Sequence, residues 1–146
     1  MSTGRTALTA VQTAIMATLA ADVGLAALVP GGVWDYVPDD PVWPYVCVES
    51  AEEVGADTMG DGLGSQGRIV SITLTIFSQF QGRAEQYNVL DAIIRLLRET
   101  SLTITGWEHL ATWHENSRAT SPFEIGNVKA GSSSVTFRVQ VLEART

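Results

Sequence analysis

Metal binding is the first chemistry to consider, because the sequence holds two histidines and one cysteine. His109 and His114 are close together in the chain, but a tetrahedral or octahedral metal shell needs further ligands. Cys47 belongs to a different predicted strand and lies within an apolar run, which is typical of a buried thiol. We therefore interpret both histidines as surface or half-buried imidazoles, and the sequence predicts no metal site.

Carboxylate pairs and serine nucleophiles are the groups that would support hydrolysis. Glu49, Glu52 and Glu53 closely follow an apolar run, and we interpret them as solvated charges at the end of a strand. The sequence lacks the G-x-S-x-G turn that presents a nucleophile in many hydrolases, and the serines at 132–134 are typical of a turn before the last strand. No residue is assigned a catalytic role, and we expect a protein that is not an enzyme.

A glycine-rich segment at residues 62–67 formally matches the dinucleotide-binding pattern G-x-G-x-x-G. That pattern holds a pyrophosphate only when a strand precedes it and the N-terminus of a helix follows it. Here a predicted strand follows, and Asp57 and Asp61 would repel phosphate. The sequence therefore predicts a flexible loop over Gly55 to Gly67, and it predicts no cofactor.

The length and composition indicate one globular domain over residues 1–146, with 45% hydrophobic residues and a net charge of −7. Because an acidic protein repels phosphate, sequence-specific DNA binding is disfavoured. Threonine and glutamine residues interrupt the apolar stretch near the N-terminus, so neither a signal peptide nor a membrane span is predicted. We expect the protein to be made and kept in the cytosol.

Two segments carry apolar residues at helical spacing, which predicts amphipathic helices over Thr6 to Ala21 and Arg83 to Glu99. Between them, the Pro-Gly-Gly sequence at residues 30–32 predicts a turn. The predicted strands occur in groups and do not alternate singly with the helices. We therefore predict an α+β fold, in which a small antiparallel or mixed β-sheet has both helices packed on one face.

The strands are predicted from period-two alternation and short apolar runs. They are Tyr45 to Glu49, Arg68 to Ser78, Trp107 to His114 and Ser134 to Glu143, with a short strand starting at Val33. Within the third of them, Trp107, His109, Ala111 and Trp113 are expected on one side. The stretch Ser117 to Gly131 is predicted to be irregular.

Aromatic residues surround the proline-rich segment from Val37 to Pro44. Such residues could stack on nucleic acid or sugar, or they could belong to the core or to a contact between subunits. No basic residue lies between Trp34 and Tyr45, which favours the core or a subunit contact. The candidate subunit-contact residues are Trp34, Tyr36 and Trp43.

Several short segments follow one another along nearly the whole chain. They are LAAD at residues 19–22, LAALV at 25–29, GVWD at 32–35, PYV at 44–46, ITLTIFS at 72–78, GRAE at 82–85 and FRV at 137–139. Their order and spacing resemble the phage tail-completion proteins, the tail-terminator family of long-tailed phages and prophages. One departure from that pattern is the Gly- and Ser-rich stretch Gly126 to Ser134.

The resemblance implies a structural virion protein that caps the head-proximal end of the tail tube as a ring, usually six-fold, after assembly in the bacterial cytoplasm. The ring would end tube growth and join the tail to the head. The implied partners are further copies of the chain, the tail tube protein, and a head connector or stopper protein. DNA would pass through the lumen without specific binding, and no membrane is involved.

Other functions stay open beside this one. A different neck component, such as a head-closure or connector adaptor protein, is the first alternative, and a small hydrolase or nucleotide-binding enzyme is the second.

If the chain forms a ring, two hypotheses follow about its glycine-rich loop and its acidic charge. The first is that the glycine-rich loop becomes ordered against a neighbouring subunit or the tube. Its candidate residues are Gly55, Asp57, Gly60, Asp61, Gly62, Gly64 and Gly67. The second is that the acidic excess faces the lumen, where it repels DNA phosphates and lets the genome slide.

Overall fold

The structure of the protein, a computed structural model, describes residues 6–55, 67–79, 83–120, 123–125 and 128–143. Within these ranges the helices are α1 (Leu8–Ala21), α2 (Val23–Leu28) and α3 (Ala84–Glu99). The strands are β1 (Val33–Trp34), β2 (Tyr45–Gly55), β3 (Gly67–Ser78), β4 (Trp107–Ala119), β5 (Phe123–Ile125) and β6 (Val128–Glu143). Both predicted helices and all five predicted strand positions are confirmed, and α2 and β5 are additions.

The strands form an open mixed sheet in the order β1-β2-β3-β6-β4, and β5 pairs with β6 beside this path. β1 runs parallel to β2, whereas the other neighbouring strands are antiparallel. β3 lies at the centre and pairs with β6 from Gly67 opposite Leu142 to Ser78 opposite Gly131. The prediction of an α+β fold with a mixed sheet is therefore confirmed.

One face of the sheet is covered by the two long helices and forms the core. Alternate residues of β3 and β6 point to this face and are almost fully buried: Val70, Ile72, Leu74, Ile76, Val135, Phe137, Val139 and Val141. The helices add Val11, Ile15 and Leu19 from α1, and Val89, Ile93 and Leu97 from α3. Burying each of these side chains stabilises the fold by about 1.5–3 kcal/mol relative to exposure. The opposite face, which we call the polar face, stays partly exposed.

The short helix α2 begins directly after α1 because Asp22 both ends one helix and caps the next. The backbone of Asp22 is extended, and its carboxylate accepts a hydrogen bond from the backbone N–H of Leu25 at 2.8 Å. This is the N-cap arrangement that satisfies a free donor in the first turn. Leu25 is also the buried residue of α2, so the cap and the core contact together fix this helix.

The predicted turn at residues 30–32 is confirmed, and it packs tightly on the segment before β2. A Cβ atom on Gly31 would lie 1.8 Å from the carbonyl oxygen of Val42 and 2.6 Å from that of Pro44. Only glycine fits this approach, and the N–H of Gly31 donates to the Pro44 oxygen at 3.0 Å. The turn therefore holds the proline-rich segment against the sheet.

Several strands extend beyond the predicted ranges. β2 continues to Gly55, so Glu49, Glu52 and Glu53 lie within the strand rather than at its end. β4 continues to Ala119, and β5 and the start of β6 occupy the stretch predicted to be irregular. The serines at 132–134 lie inside β6, opposite residues 75–77 of β3, rather than in a turn. The serines have weak strand propensity, but pairing with a long neighbouring strand overrides that propensity.

An irregularity in β4 corrects the prediction that four of its residues share one side. The pairing of β4 with β6 shifts between His109 and Ala111. An extra residue at such a bulge reverses the side to which the following side chains point. Trp107 and His109 therefore lie on the core side, whereas Ala111 and Trp113 lie on the polar face.

Candidate assembly surface

The predicted glycine-rich loop falls between β2 and β3 in the chain. Gly55 is the exposed last residue of β2, and Gly67 is the buried first residue of β3. The two strands pair as far as Gly55 opposite Arg68, so the loop is attached at this end of the hairpin. The other loop candidates lie outside the described residues: Asp57, Gly60, Asp61, Gly62 and Gly64.

The three predicted subunit-contact residues differ in how firmly the domain holds them. The indole N–H of Trp34 donates to the carbonyl oxygen of Gly31, and the Trp34 side chain is about one third exposed. Trp43 is half-buried, and its ring lies edge-on at 5.1 Å from the ring of Tyr45. Tyr36 is 86% exposed. The domain therefore anchors both tryptophans and leaves the tyrosine protruding.

A row of aromatic rings, begun by Trp43 and Tyr45, crosses one end of the polar face. The rings of Tyr45 and Phe77 stack with centroids 5.2 Å apart, and Phe123 meets Phe77 edge-on at 6.3 Å. Burial raises the pKa of Tyr45. The row joins β2, β3 and β5, so the sequence analysis, which predicted no β5, did not find it.

The polar face is held together by hydroxyl groups. The hydroxyls of Thr73 and Thr136 lie 2.9 Å apart across β3 and β6. The Glu49 carboxylate accepts a hydrogen bond from the Thr75 hydroxyl at 2.8 Å and a longer one from Ser134 at 3.4 Å. Glu49 therefore links β2 to the adjacent strand β3 and to β6 beyond it.

The remaining carboxylates of β2 serve other contacts. Glu53 accepts hydrogen bonds from the hydroxyl of Thr6 at 2.9 Å and from the backbone N–H of Ala7, and its carboxylate lies 3.4 Å from Arg68. It thus ties the start of α1 to the sheet. Glu52 is exposed. The three glutamates therefore have three different environments on the same strand.

The histidines each contact a hydroxyl nearby in β4. His109 Nε2 lies 2.6 Å from Thr112 Oγ1, and His114 Nε2 lies 2.8 Å from Ser117 Oγ. Burial lowers the pKa of His109, although a backbone hydrogen bond at Ala111 opposes the shift. His109 is half-buried and His114 is exposed, as predicted. Within the described ranges, no three metal-binding side chains come together.

Cys47 is half-buried, which corrects the prediction of a buried thiol. It lies on the polar face, opposite Thr75 of β3. Partial burial raises the pKa of the thiol, and the nearby Glu49 carboxylate raises it further. An apolar run suggested burial of every residue, but only alternate residues of β2 face the helices.

The second half of β4 is a surface that the sequence analysis missed. Every residue from Trp113 to Ala119 is exposed, although the strand pairs with β6 as far as Ala119 opposite Ser133. β4 is also an edge strand of the sheet. We call this segment the β4 arm. Its sequence after Trp113 contains no large apolar residue and so shows no alternation.

Charge is divided along the chain and therefore across the sheet. Residues 6–67 contain nine acidic residues and no lysine or arginine, whereas residues 68–146 contain eight basic and seven acidic residues. The first part supplies β1 and β2, and the second supplies β6 and β4 at the opposite edge. This separation of charge was available in the sequence, whereas the placement of the two parts at different edges of the sheet was not.

None of the helices in the described ranges is long and apolar enough to cross a membrane.

Comparison with known proteins bears on these surfaces. The model of the family described as Tail completion protein gp17 matches residues 13–139. Among solved structures, the chain is similar to one in the virion of a native gene transfer agent (GTA) particle, with a TM-score of 0.78 and 22% identity. That match covers 92% of this chain and 96% of the other, and at this identity it shows a shared fold. No curated protein matches the sequence.

Proposed function

Because the chain belongs to the family of phage tail completion proteins, we propose that it forms a ring on the head-proximal end of the tail tube. The ring ends tube growth and joins the tail to the head connector. The family consists of structural tail proteins, so the chain is a structural protein of the virion tail. One domain over residues 1–146 carries this role, with no catalytic activity of its own.

The observation that carries the proposal is the family match over residues 13–139. An open sheet with two unlike edges supports it. β1 pairs with only two residues of β2 at one edge, and β4 forms the other. A ring needs contacts between two different patches of the same subunit, and open edges suit such contacts. The contact residues proposed at the first edge are Trp34, Tyr36 and Trp43.

The loop from Gly55 to Gly67 is proposed to contact a neighbouring subunit or the tube. Hydrogen exchange of the free protein and of purified tails measures this contact. Slower exchange of the loop in tails is expected, and equal exchange in both states would remove the loop from the proposal.

The net charge of −7 is proposed to let DNA slide through the lumen, because acidic side chains repel phosphates. A structure of the assembled ring tests this. A lumen lined by Arg68, Arg83, Arg95 or Arg98 would contradict it.

The decisive experiment inactivates the gene in its parent phage or prophage and examines the induced particles by negative-stain electron microscopy. Filled heads beside unjoined tails that are overlong or lack a finished upper end are expected. Tails of normal length that fail to join would favour another neck component. Normal infectious particles would remove the tail-completion role and reopen the enzyme alternative, which ligand-induced melting shifts across nucleotides and metals would then test.

A further inference from the structure

The two edges of the sheet differ in charge in a way that fits one edge to the other. At the β1 edge, the segment from Trp34 to Val42 carries three exposed aspartates: Asp35, Asp39 and Asp40. Three large hydrophobic side chains of the same segment are exposed, namely Trp34, Tyr36 and Val42, and the last two are 86% and 59% exposed. We call this segment the acidic edge. It combines an apolar surface with a charge of one sign, and no basic residue lies within it.

The β4 arm offers the opposite combination. Trp113 and Arg118 are exposed on it, and Arg83 reaches its end by donating to the carbonyl oxygen of Thr120 at 3.3 Å. Glu115 of the arm is bound to Arg138 of β6 at 3.0 Å. The arm therefore presents Trp113 and Arg118, with Arg83 beside its end, while its single acidic residue, Glu115, is already paired.

We propose that the acidic edge of one subunit binds the β4 arm of the next subunit in the ring, so that the occupant of each surface is a second copy of this chain. The proposal rests on the ring of the proposed function and adds the two contact surfaces. Aspartates would meet Arg83 and Arg118, and the aromatic side chains of the two segments would cover each other.

The positions of the two surfaces suit a ring. They lie at opposite edges of the sheet, separated by four strand spacings, or about 19 Å. Two unlike patches on opposite sides of one subunit make a head-to-tail contact, which closes into a ring when the rotation between subunits allows it. The exposure of the whole β4 arm is explained at the same time, because the next subunit would cover it.

Cross-linking in assembled tails tests the contact. Val42→Cys and Asn116→Cys place exposed thiols on the acidic edge and the β4 arm, in a Cys47→Ala background. The variant chain replaces the inactivated gene, and purified tails are treated with a short bis-maleimide. A ladder of covalent oligomers is expected from the double variant. Either cysteine alone, or Val42→Cys combined with Asp91→Cys on the exposed side of α3, is expected to give no ladder.

Infectivity separates this proposal from the function on which it rests. Infectious particles without a ladder would overturn the contact and leave the tail-completion role intact. A ladder from the Asp91 control that equals the one from Asn116 would also overturn it. Normal particles after inactivation of the gene would overturn the function itself.

Charge reversal gives an independent test that needs no cross-link. Asp39→Lys with Asp40→Lys, or Arg83→Glu with Arg118→Glu, is expected to lower the infective titre by about tenfold or more, because like charges then face each other. The four changes together are expected to restore it. Arg95→Glu with Arg98→Glu is the control, since it changes net charge equally on the exposed side of α3.

The outcomes of charge reversal decide the proposal. A combined variant as defective as either pair, in chains whose melting shows them folded, would overturn it. An equal loss from the α3 control would assign the effect to net charge and overturn it as well.

Discussion

The two faces of the central sheet are built from the same strands and yet have opposite characters. On the covered face, the alternate residues of β3 and β6 are apolar and nearly fully buried beneath α1 and α3. On the polar face, threonine and serine hydroxyls pair across the strands and Glu49 joins them. Stability is thus concentrated on one face by apolar burial, while the other stays partly exposed and available to partners.

The largest difference in stability between the two faces is expected from substitutions at two adjacent residues of β6. Phe137 is 1% exposed in the core, and Arg138 lies on the polar face in an ion pair with Glu115. Phe137→Ala is expected to lower the free energy of unfolding by about 3–5 kcal/mol, because it leaves a cavity. Arg138→Ala is expected to cost less than about 1 kcal/mol. Urea unfolding measures both, and equal losses would contradict the comparison.

Ser133 and Ser134, which are also adjacent in β6, allow the hydrogen bonds of the two faces to be compared. The hydroxyl of Ser133 donates to Oε1 of Gln86, and both residues are buried. Ser133→Ala is expected to cost about 1–3 kcal/mol, because Gln86 loses a buried partner. Ser134 shares its carboxylate acceptor with Thr75, so Ser134→Ala is expected to cost about 0.5 kcal/mol or less. Urea unfolding measures the free energy of unfolding of both variants. A larger loss in Ser134→Ala than in Ser133→Ala would show that the polar face carries the stronger hydrogen bonds.

The thiol of Cys47 reports on the polar face. Because burial and Glu49 raise its pKa, less thiolate is present at about pH 8 than for a free thiol. Its reaction with a disulfide reagent is therefore expected to be slower than that of glutathione. Glu49→Gln removes the nearby charge and is expected to speed the reaction. An unchanged rate in that variant would mean that burial alone controls the thiol.

The smallest expected effect is a pH dependence of stability caused by His109 on the covered side of the sheet. Its pKa is lowered in the folded protein, so the unfolded chain takes up the proton first as the pH falls. The stability linked to neutral His109 is complete above about pH 6.5 and is lost as the pH falls through the folded pKa. Stability measured between about pH 7 and pH 5 is expected to fall less steeply in His109→Asn. An equally steep fall would assign the slope to carboxylates.

Residue pattern was enough to predict the elements whose burial follows a strict period. The alternation of β3 and the helical spacing of α3 were found within one residue of their observed bounds. β4 and the start of β6 were not, because their residues alternate weakly and become strands through pairing with each other. The candidate site divides in the same way. Trp34, Tyr36 and Trp43 were predicted as subunit-contact residues, and that stays a prediction, whereas the exposed β4 arm was not predicted.

The sequence by itself determined the fold class and the covered face, since apolar periodicity and local turns depend on neighbouring residues. The family was indicated separately, by the resemblance of its ordered short segments to the tail-completion proteins. The sequence also contained the separation of charge between residues 6–67 and the rest of the chain. Only the tertiary structure decided that these two parts lie at opposite edges of one sheet and that the β4 arm is exposed on both faces. Strand order and bulges set these features, and both depend on contacts between residues far apart in the chain.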